Sequence, residues 1–125
     1  TLSPSSAASD VYKRQWLYFV YKKHTGTFNN DGKAIHDFFE TSVTPTGERK
    51  FGKHPTQKPL ALMSQFVRLL SNENDTVMDP FMGSGSSGEA ALILKRNFIG
   101  SEINADYFQI SNERLSLHGE QKNEL

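Results

Sequence analysis

The chain has 125 residues, 14 Lys and Arg against 14 Asp and Glu, and no cysteine. That length supports one small domain with a modest core. The missing cysteines exclude a disulfide framework, a thiolate metal site and a cysteine nucleophile, and they fit a reducing compartment. The charge is unevenly spread: residues 1–58 carry nine Lys/Arg against five Asp/Glu (+4), and residues 59–125 carry five against nine (−4). The front half could face a polyanion, a solvated basic face being the plainer alternative; the back half is a poor candidate for that role.

Residues 1–15 are small, polar and without period, and read as a disordered lead that resembles a non-native cloning scar. "WLYFVY" (16–21) is aromatic and β-branched and predicts a strand at about 16–22. It is also the longest apolar run, far short of the roughly 20 residues of a membrane span, so no membrane partner is expected. Asp31-Gly32 favours a tight turn. "AIHDFF" (34–39) predicts a second short strand, and residues 40–58, with Pro45, Gly47, Gly52 and Pro55 but no period, predict a long loop.

Pro59 suits a first helical residue. Leu60, Met63, Phe66, Val67 and Leu70 follow at helical spacing, predicting an amphipathic helix over about 59–71. "TVMD" (76–79) predicts a short buried strand. Residues 86–96 predict a helix with serine caps at its start and two cations at its end. Residues 97–102 predict another strand. Asn104 is the cap of a last helix over about 105–117, and residues 118–125 are expected to fray.

Helices alternating with strands imply an α/β fold with parallel strands, flanking helices and right-handed crossovers. So few strands make an incomplete sheet with an unpaired edge.

Between the predicted strand at 76–79 and the helix at 86–96 lies "DPFMGSGSSG", with Gly83, Gly85 and Gly88 in G-x-G-x-x-G spacing. Glu102 follows Gly83 by 19 residues, near the roughly 20 expected for an acid that holds ribose hydroxyls. In an open α/β sheet, ligands bind beyond the C-terminal ends of the strands, so Asp79 and Glu102 should share one crevice. Strand, loop and helix together predict a site for an adenosine-containing cofactor. Asp79 selects among such cofactors. At about 4 Å and an effective dielectric of about 20, a carboxylate opposes a pyrophosphate charge by roughly 4 kcal/mol. S-adenosylmethionine instead carries an ammonium and a sulfonium and no phosphate. The alternative role for Asp79 is to accept hydrogen bonds from loop amides, and the two roles can coexist. Phe81 is expected near the loop surface, packing on the ligand or in the core.

Three stretches, "HPTQKP" (54–59), "DPFMGSG" (79–85) and "FIGSEINADYF" (98–108), resemble motifs of the amino-group DNA methyltransferases, which methylate the exocyclic amine of adenine or cytosine in DNA. The resemblance covers about residues 50–117, with Ser86-Ser87 where the family more often has two threonines. It implies a partial Rossmann-like, S-adenosylmethionine-dependent methyltransferase fold. It implies that Asp79, Pro80, Phe81, Gly83, Ser84 and Gly85 form the cofactor loop and Glu102 holds the ribose. Thr56, Gln57 and Lys58 would line the methionine end. His54 is expected to pack in its loop rather than act as a base. The other histidines, 24, 36 and 118, form no ligand spacing with nearby acids, so no metal is assigned.

The family's catalytic motif, an Asp, Asn or Ser followed by Pro-Pro and an aromatic, has no counterpart here, because no two of the five prolines are adjacent. The motif order resembles the permuted β class, in which that motif comes first. The resemblance therefore implies a C-terminal fragment, inactive alone, whose catalytic part lies upstream. Residues 16–50 would be the tail of the target-recognition region and its connector, and 51–117 the cofactor-binding part. Double-stranded DNA would be the partner of the full-length enzyme, with Lys22, Lys23, Lys33, Arg49, Lys50 and Lys53 as candidate phosphate contacts. Adenine is favoured on overall resemblance, and a cytoplasmic setting in a bacterium or phage is implied. The rival readings are a nicotinamide-dependent oxidoreductase fragment and a non-catalytic remnant.

Overall fold

A computed structural model describes residues 26–41 and 44–119. The lead at 1–15, the strand expected at 16–22, Lys22, Lys23, His24 and residues 120–125 lie outside the described residues. Within them a 3-10 helix (Thr46–Arg49) precedes α1 (Leu60–Leu70), β1 (Thr76–Asp79), α2 (Ser86–Ile93), β2 (Asn97–Gly100) and α3 (Ala105–Ser116). β1 and β2 pair in parallel, Thr76 opposite Asn97 and Asp79 opposite Gly100. The expected β–α–β unit is present. The described sheet has two strands, so each keeps one unpaired edge.

α2 lies against both strands and packs on α1 and α3. Its composition allows this close approach. Ala90 and Ala91 are fully buried, and a Cβ at Gly88 would stand 2.6 Å from the Phe98 ring and 2.7 Å from Leu115. From α1, Val67 and Leu69 complete a small core with Met82. The end of α1 is tied down from two sides. Asn29 donates from Nδ2 to the carbonyls of Arg68 (3.0 Å) and Ser71 (2.8 Å), satisfying groups that a helix terminus leaves unpaired. Arg96 donates from Nε to Ser71 Oγ (2.9 Å) and from Nη2 to Ser71 O (2.6 Å).

Several expectations are corrected. Pro59 is the N-cap of α1 rather than its first residue, with ψ 134°. Residues 34–39 form no strand; among the described residues no sheet edge reaches them, and Phe39 instead meets Phe66 of α1 edge-on, ring centroids 5.0 Å apart. The loop at 40–58 contains the 3-10 helix. β1 is not buried: its outer face is open, with the register partners Met78 and Ile99 68% and 58% exposed. The second strand stops at Gly100, two residues short of Glu102. Asp31 and Gly32, with φ 53° and 69°, form the expected tight turn.

α2 ends at Ile93, three residues early. Arg96 N–H bonds Ala91 O (2.8 Å) and Lys95 N–H bonds Leu92 O (3.1 Å) around Lys95 at φ 61°. This is a Schellman stop with lysine where glycine is usual, so no glycine marks it in the sequence. A left-handed non-glycine residue costs roughly 1 kcal/mol. Lys95→Gly is therefore expected to stabilise the chain by about 0.5–1 kcal/mol in urea unfolding. The exposed Lys95–Glu73 contact at 3.9 Å, lost in that variant, contributes little.

Candidate functional site

β1 delivers Asp79 to the start of the glycine loop. Its Oδ1 accepts the Phe81 N–H (3.0 Å) and its Oδ2 accepts the Ser87 hydroxyl (2.5 Å). The carboxylate thus closes its own turn and reaches the first turn of α2, where the helix dipole favours a negative charge. The expected serine caps are replaced. The N-cap of α2 is Gly85 at φ 84° without a side-chain cap bond, Ser87 serves Asp79, and the buried Ser86 Oγ has no partner. The loop-bonding role of Asp79 is realised, and each oxygen keeps further acceptor capacity for a ligand.

Glu102 lies just past β2 and is held symmetrically. Oε2 accepts the Gly83 N–H (3.0 Å) and Oε1 accepts the Asn104 N–H (2.8 Å). Asn104 is the expected cap of α3, its Oδ1 accepting the N–H groups of Asp106 and Tyr107. Glu102 is therefore suspended between the glycine loop and the start of α3. The two strand tips are stitched together: Ser101 N–H donates to Asp79 O (3.1 Å), Met82 N–H donates to Ser101 O (3.0 Å) and the Ser101 hydroxyl donates to Pro80 O (2.7 Å). Asp79 and Glu102 consequently flank one turn.

Beside each acid stands a solvent-facing apolar side chain: Phe81 is 87% exposed and Ile103 102%. Phe81 is therefore not a core residue. Ile103 was not among the sequence candidates; its signal was an apolar residue directly after a strand-tip acid. Acids that accept from hydroxyls and attract cations, apolar surface for a planar ring, and glycines that let backbone approach closely form an arrangement suited to a phosphate-free nucleoside. Ser84 is only 3% exposed, so its side chain offers a ligand little.

The 54–59 segment reaches the glycine loop through His54, whose ring lies against Gly83. His54 Nδ1 accepts the Thr56 N–H (3.2 Å), and its ring packs on Tyr107 with centroids 4.2 Å apart. Gln57 donates to Glu48 O (2.9 Å), while its buried Oε1 lacks a partner. Lys58 is half-buried just before α1. The Glu48 carboxylate accepts the Leu60 N–H (2.9 Å), taking up a free donor at the start of α1.

A buried charge cluster lies behind the loop. Arg114, 1% exposed, donates to Glu89 Oε2 (2.6 Å) and to Glu48 O (2.6 Å), and Glu89 Oε1 meets His118 Nε2 at 2.8 Å. His118 thus has an acidic partner 29 residues away in sequence and is docked rather than frayed. Among the described residues no three His, Cys, Asp or Glu gather as a metal site. Lys33, Arg49, Lys50 and Lys53 are all exposed, Lys50 over the Phe51 ring at 4.9 Å. Two surface concavities, one lined by Asn29, Arg68 and Asn72 and one by Ile35, Phe38 and Phe39, lie away from the strand tips. Neither Asp79 nor Glu102 lines either concavity. Among the described residues no helix is long and apolar enough to cross a membrane.

Known proteins share this sequence and fold. A family model described as DNA methylase matches residues 4–113. The type II methyltransferase M2.LlaDCHI of Lactococcus lactis subsp. cremoris is 41% identical over 87 residues, 70% of this chain and 32% of that protein. The DNA adenine methyltransferase YhdJ of Escherichia coli is 43% identical over 68 residues, 54% of this chain and 23% of that protein. The crystal structure of an M1.HpyAVI-SAM complex superposes with a TM-score of 0.64 at 43% identity, covering 75% of this chain and 46% of that one. The chain thus spans about a quarter to a third of the length of these curated relatives.

Proposed function

The chain belongs to the DNA methylase family, and on that premise we propose that it is the cofactor-binding segment of an enzyme that methylates the exocyclic amine of adenine in DNA. The observation that carries this reading is the pair of carboxylates, Asp79 and Glu102, flanking one stitched turn at the tips of adjacent parallel strands. S-adenosylmethionine supplies an activated methyl group on a sulfonium. Glu102 accepts the ribose hydroxyls with the lone pairs that Gly83 and Asn104 leave free. Asp79 attracts the ammonium and would repel a pyrophosphate. Phe81 and Ile103 offer apolar surface to the adenine and exclude water. Thr56, Gln57 and Lys58 approach the methionine end.

Methyl transfer to an exocyclic amine requires the target base outside the stack, because its lone pair is delocalised into the ring and must be aimed at the sulfonium. The enzyme's contribution is chiefly positioning. This chain has no Pro-Pro-aromatic motif, so the group that holds the amine is assigned to a catalytic part of the same enzyme outside it. Lys33, Arg49, Lys50 and Lys53, with Lys22 and Lys23, contact phosphates without reading sequence, giving affinity that falls with salt. Adenine is preferred over cytosine on the likeness to the adenine enzyme YhdJ. A DNA substrate puts the enzyme in the bacterial cytoplasm.

Calorimetry tests this function. The chain is expected to bind S-adenosylhomocysteine and not NAD, and to transfer no tritiated methyl to DNA by itself. Binding of NAD alone, or methylation by the isolated chain, would overturn the assignment.

A further inference from the structure

We propose that His54 is a positioning residue whose ring sets the spacing between the glycine loop and α3, and so aims the Glu102 carboxylate. The inference rests on the cofactor reading for its consequence, and on geometry alone for the spacing.

A Cβ at Gly83 would lie 2.9 Å from His54 Nε2 and 3.2 Å from Cε1, so the ring is seated directly against the loop backbone. Gly83 takes φ 53°, and its N–H is the donor that holds Glu102 Oε2 at 3.0 Å. The same imidazole also packs on Tyr107, centroids 4.2 Å apart at 58°. Tyr107 lies in the first turn of α3, its N–H bonded to Asn104 Oδ1 at 3.1 Å. Asn104 N–H in turn holds Glu102 Oε1 at 2.8 Å. Both oxygens of Glu102 are therefore fixed by elements that the same ring touches. The Thr56 N–H on Nδ1 fixes the orientation of the ring. A smaller side chain lets the loop and the start of α3 close together, and the two amides no longer converge on one carboxylate. His54 makes no contact with the cofactor in this account; it acts through Gly83 and Tyr107.

The test uses the full 125-residue chain with His54→Ala and His54→Phe, and reads amide exchange without ligand alongside affinity for S-adenosylhomocysteine. His54→Ala is expected to speed exchange at Gly83 and Asn104 while leaving Ala90 and Ala91 in α2 protected. It is also expected to weaken binding about tenfold, the scale on which a residue acts through its neighbours. His54→Phe keeps a ring of similar width, and should recover both to within about threefold of the parent on that scale. The inference is overturned if exchange at Gly83 and Asn104 is unchanged in His54→Ala, or if His54→Phe is as impaired as His54→Ala. Faster exchange in His54→Ala, in a parent that binds no S-adenosylhomocysteine, would support the spacing role and overturn the cofactor reading instead.

Discussion

Glu102→Ala is expected to lower affinity for S-adenosylhomocysteine at least 100-fold, to below what calorimetry detects. A hydrogen bond to a charged acceptor contributes about 1.5–3 kcal/mol, so losing two ribose bonds removes about 3 kcal/mol or more. At about 1.4 kcal/mol per decade that is roughly two orders of magnitude. The loop would also lose its anchor, since the Gly83 and Asn104 N–H groups bond this carboxylate. Glu102→Gln should fall nearly as far. The amide offers one acceptor oxygen, and its NH2 would face one of those N–H groups, donor against donor. Glu113→Gln, an exposed change on α3, is the control and should bind like the parent. A Glu102→Ala chain within threefold of the parent would remove the basis for assigning the ribose to this residue.

Arg114→Ala should be the most destabilising single change among the described residues. It leaves Glu89 buried without its guanidinium partner and the Glu48 carbonyl without its donor. Removing one member of a buried ion pair costs about 3–5 kcal/mol, a large share of the roughly 5–15 kcal/mol that holds a whole domain together. The cluster has unusual leverage here because so little else is buried: among the described residues the core has five hydrophobic side chains against nine polar or charged ones. The unpaired Nε of Arg114 shows that the pairing is incomplete. Replacing both members, as in Glu89→Gln with Arg114→Met, should therefore cost less than Arg114→Ala alone. Urea unfolding with both variants reads this directly. A loss below about 1 kcal/mol for Arg114→Ala would place the arginine among screened surface cations.

The features legible in the sequence are those set by neighbouring residues. β1, the glycine loop and α2 follow from a short β-branched run, three glycines and an alanine-rich segment. The cap at Asn104 follows from a polar residue ahead of a helical stretch. Asp79 and Glu102 were found because a parallel strand pair places its C-terminal ends together, whatever the details of packing. What sequence hid was set by distant partners or by exceptions to local rules. Arg114 meets Glu89 25 residues away, and no pattern within either helix announces the pair. Lys95 ends α2 in a conformation that glycine normally marks. Residues 34–39 have strand-like composition, yet a strand exists only where an edge accepts it, and these side chains found α1 instead. The exposure of Met78 and Ile99 is of the same kind, since a strand's sequence cannot say what covers its outer face. Ser87 looked like a helix cap and became the partner of Asp79. That exchange ties the Asp79 carboxylate to the first turn of α2.

The account turns on two acids at adjoining strand ends receiving one nucleoside. Its most direct test is a crystal structure of the chain with S-adenosylhomocysteine. The ribose hydroxyls should lie within hydrogen-bond distance of both Glu102 oxygens, with the ammonium on the Asp79 side of the turn. Density for the ligand elsewhere, or a ribose bound while Glu102 points away, would contradict it.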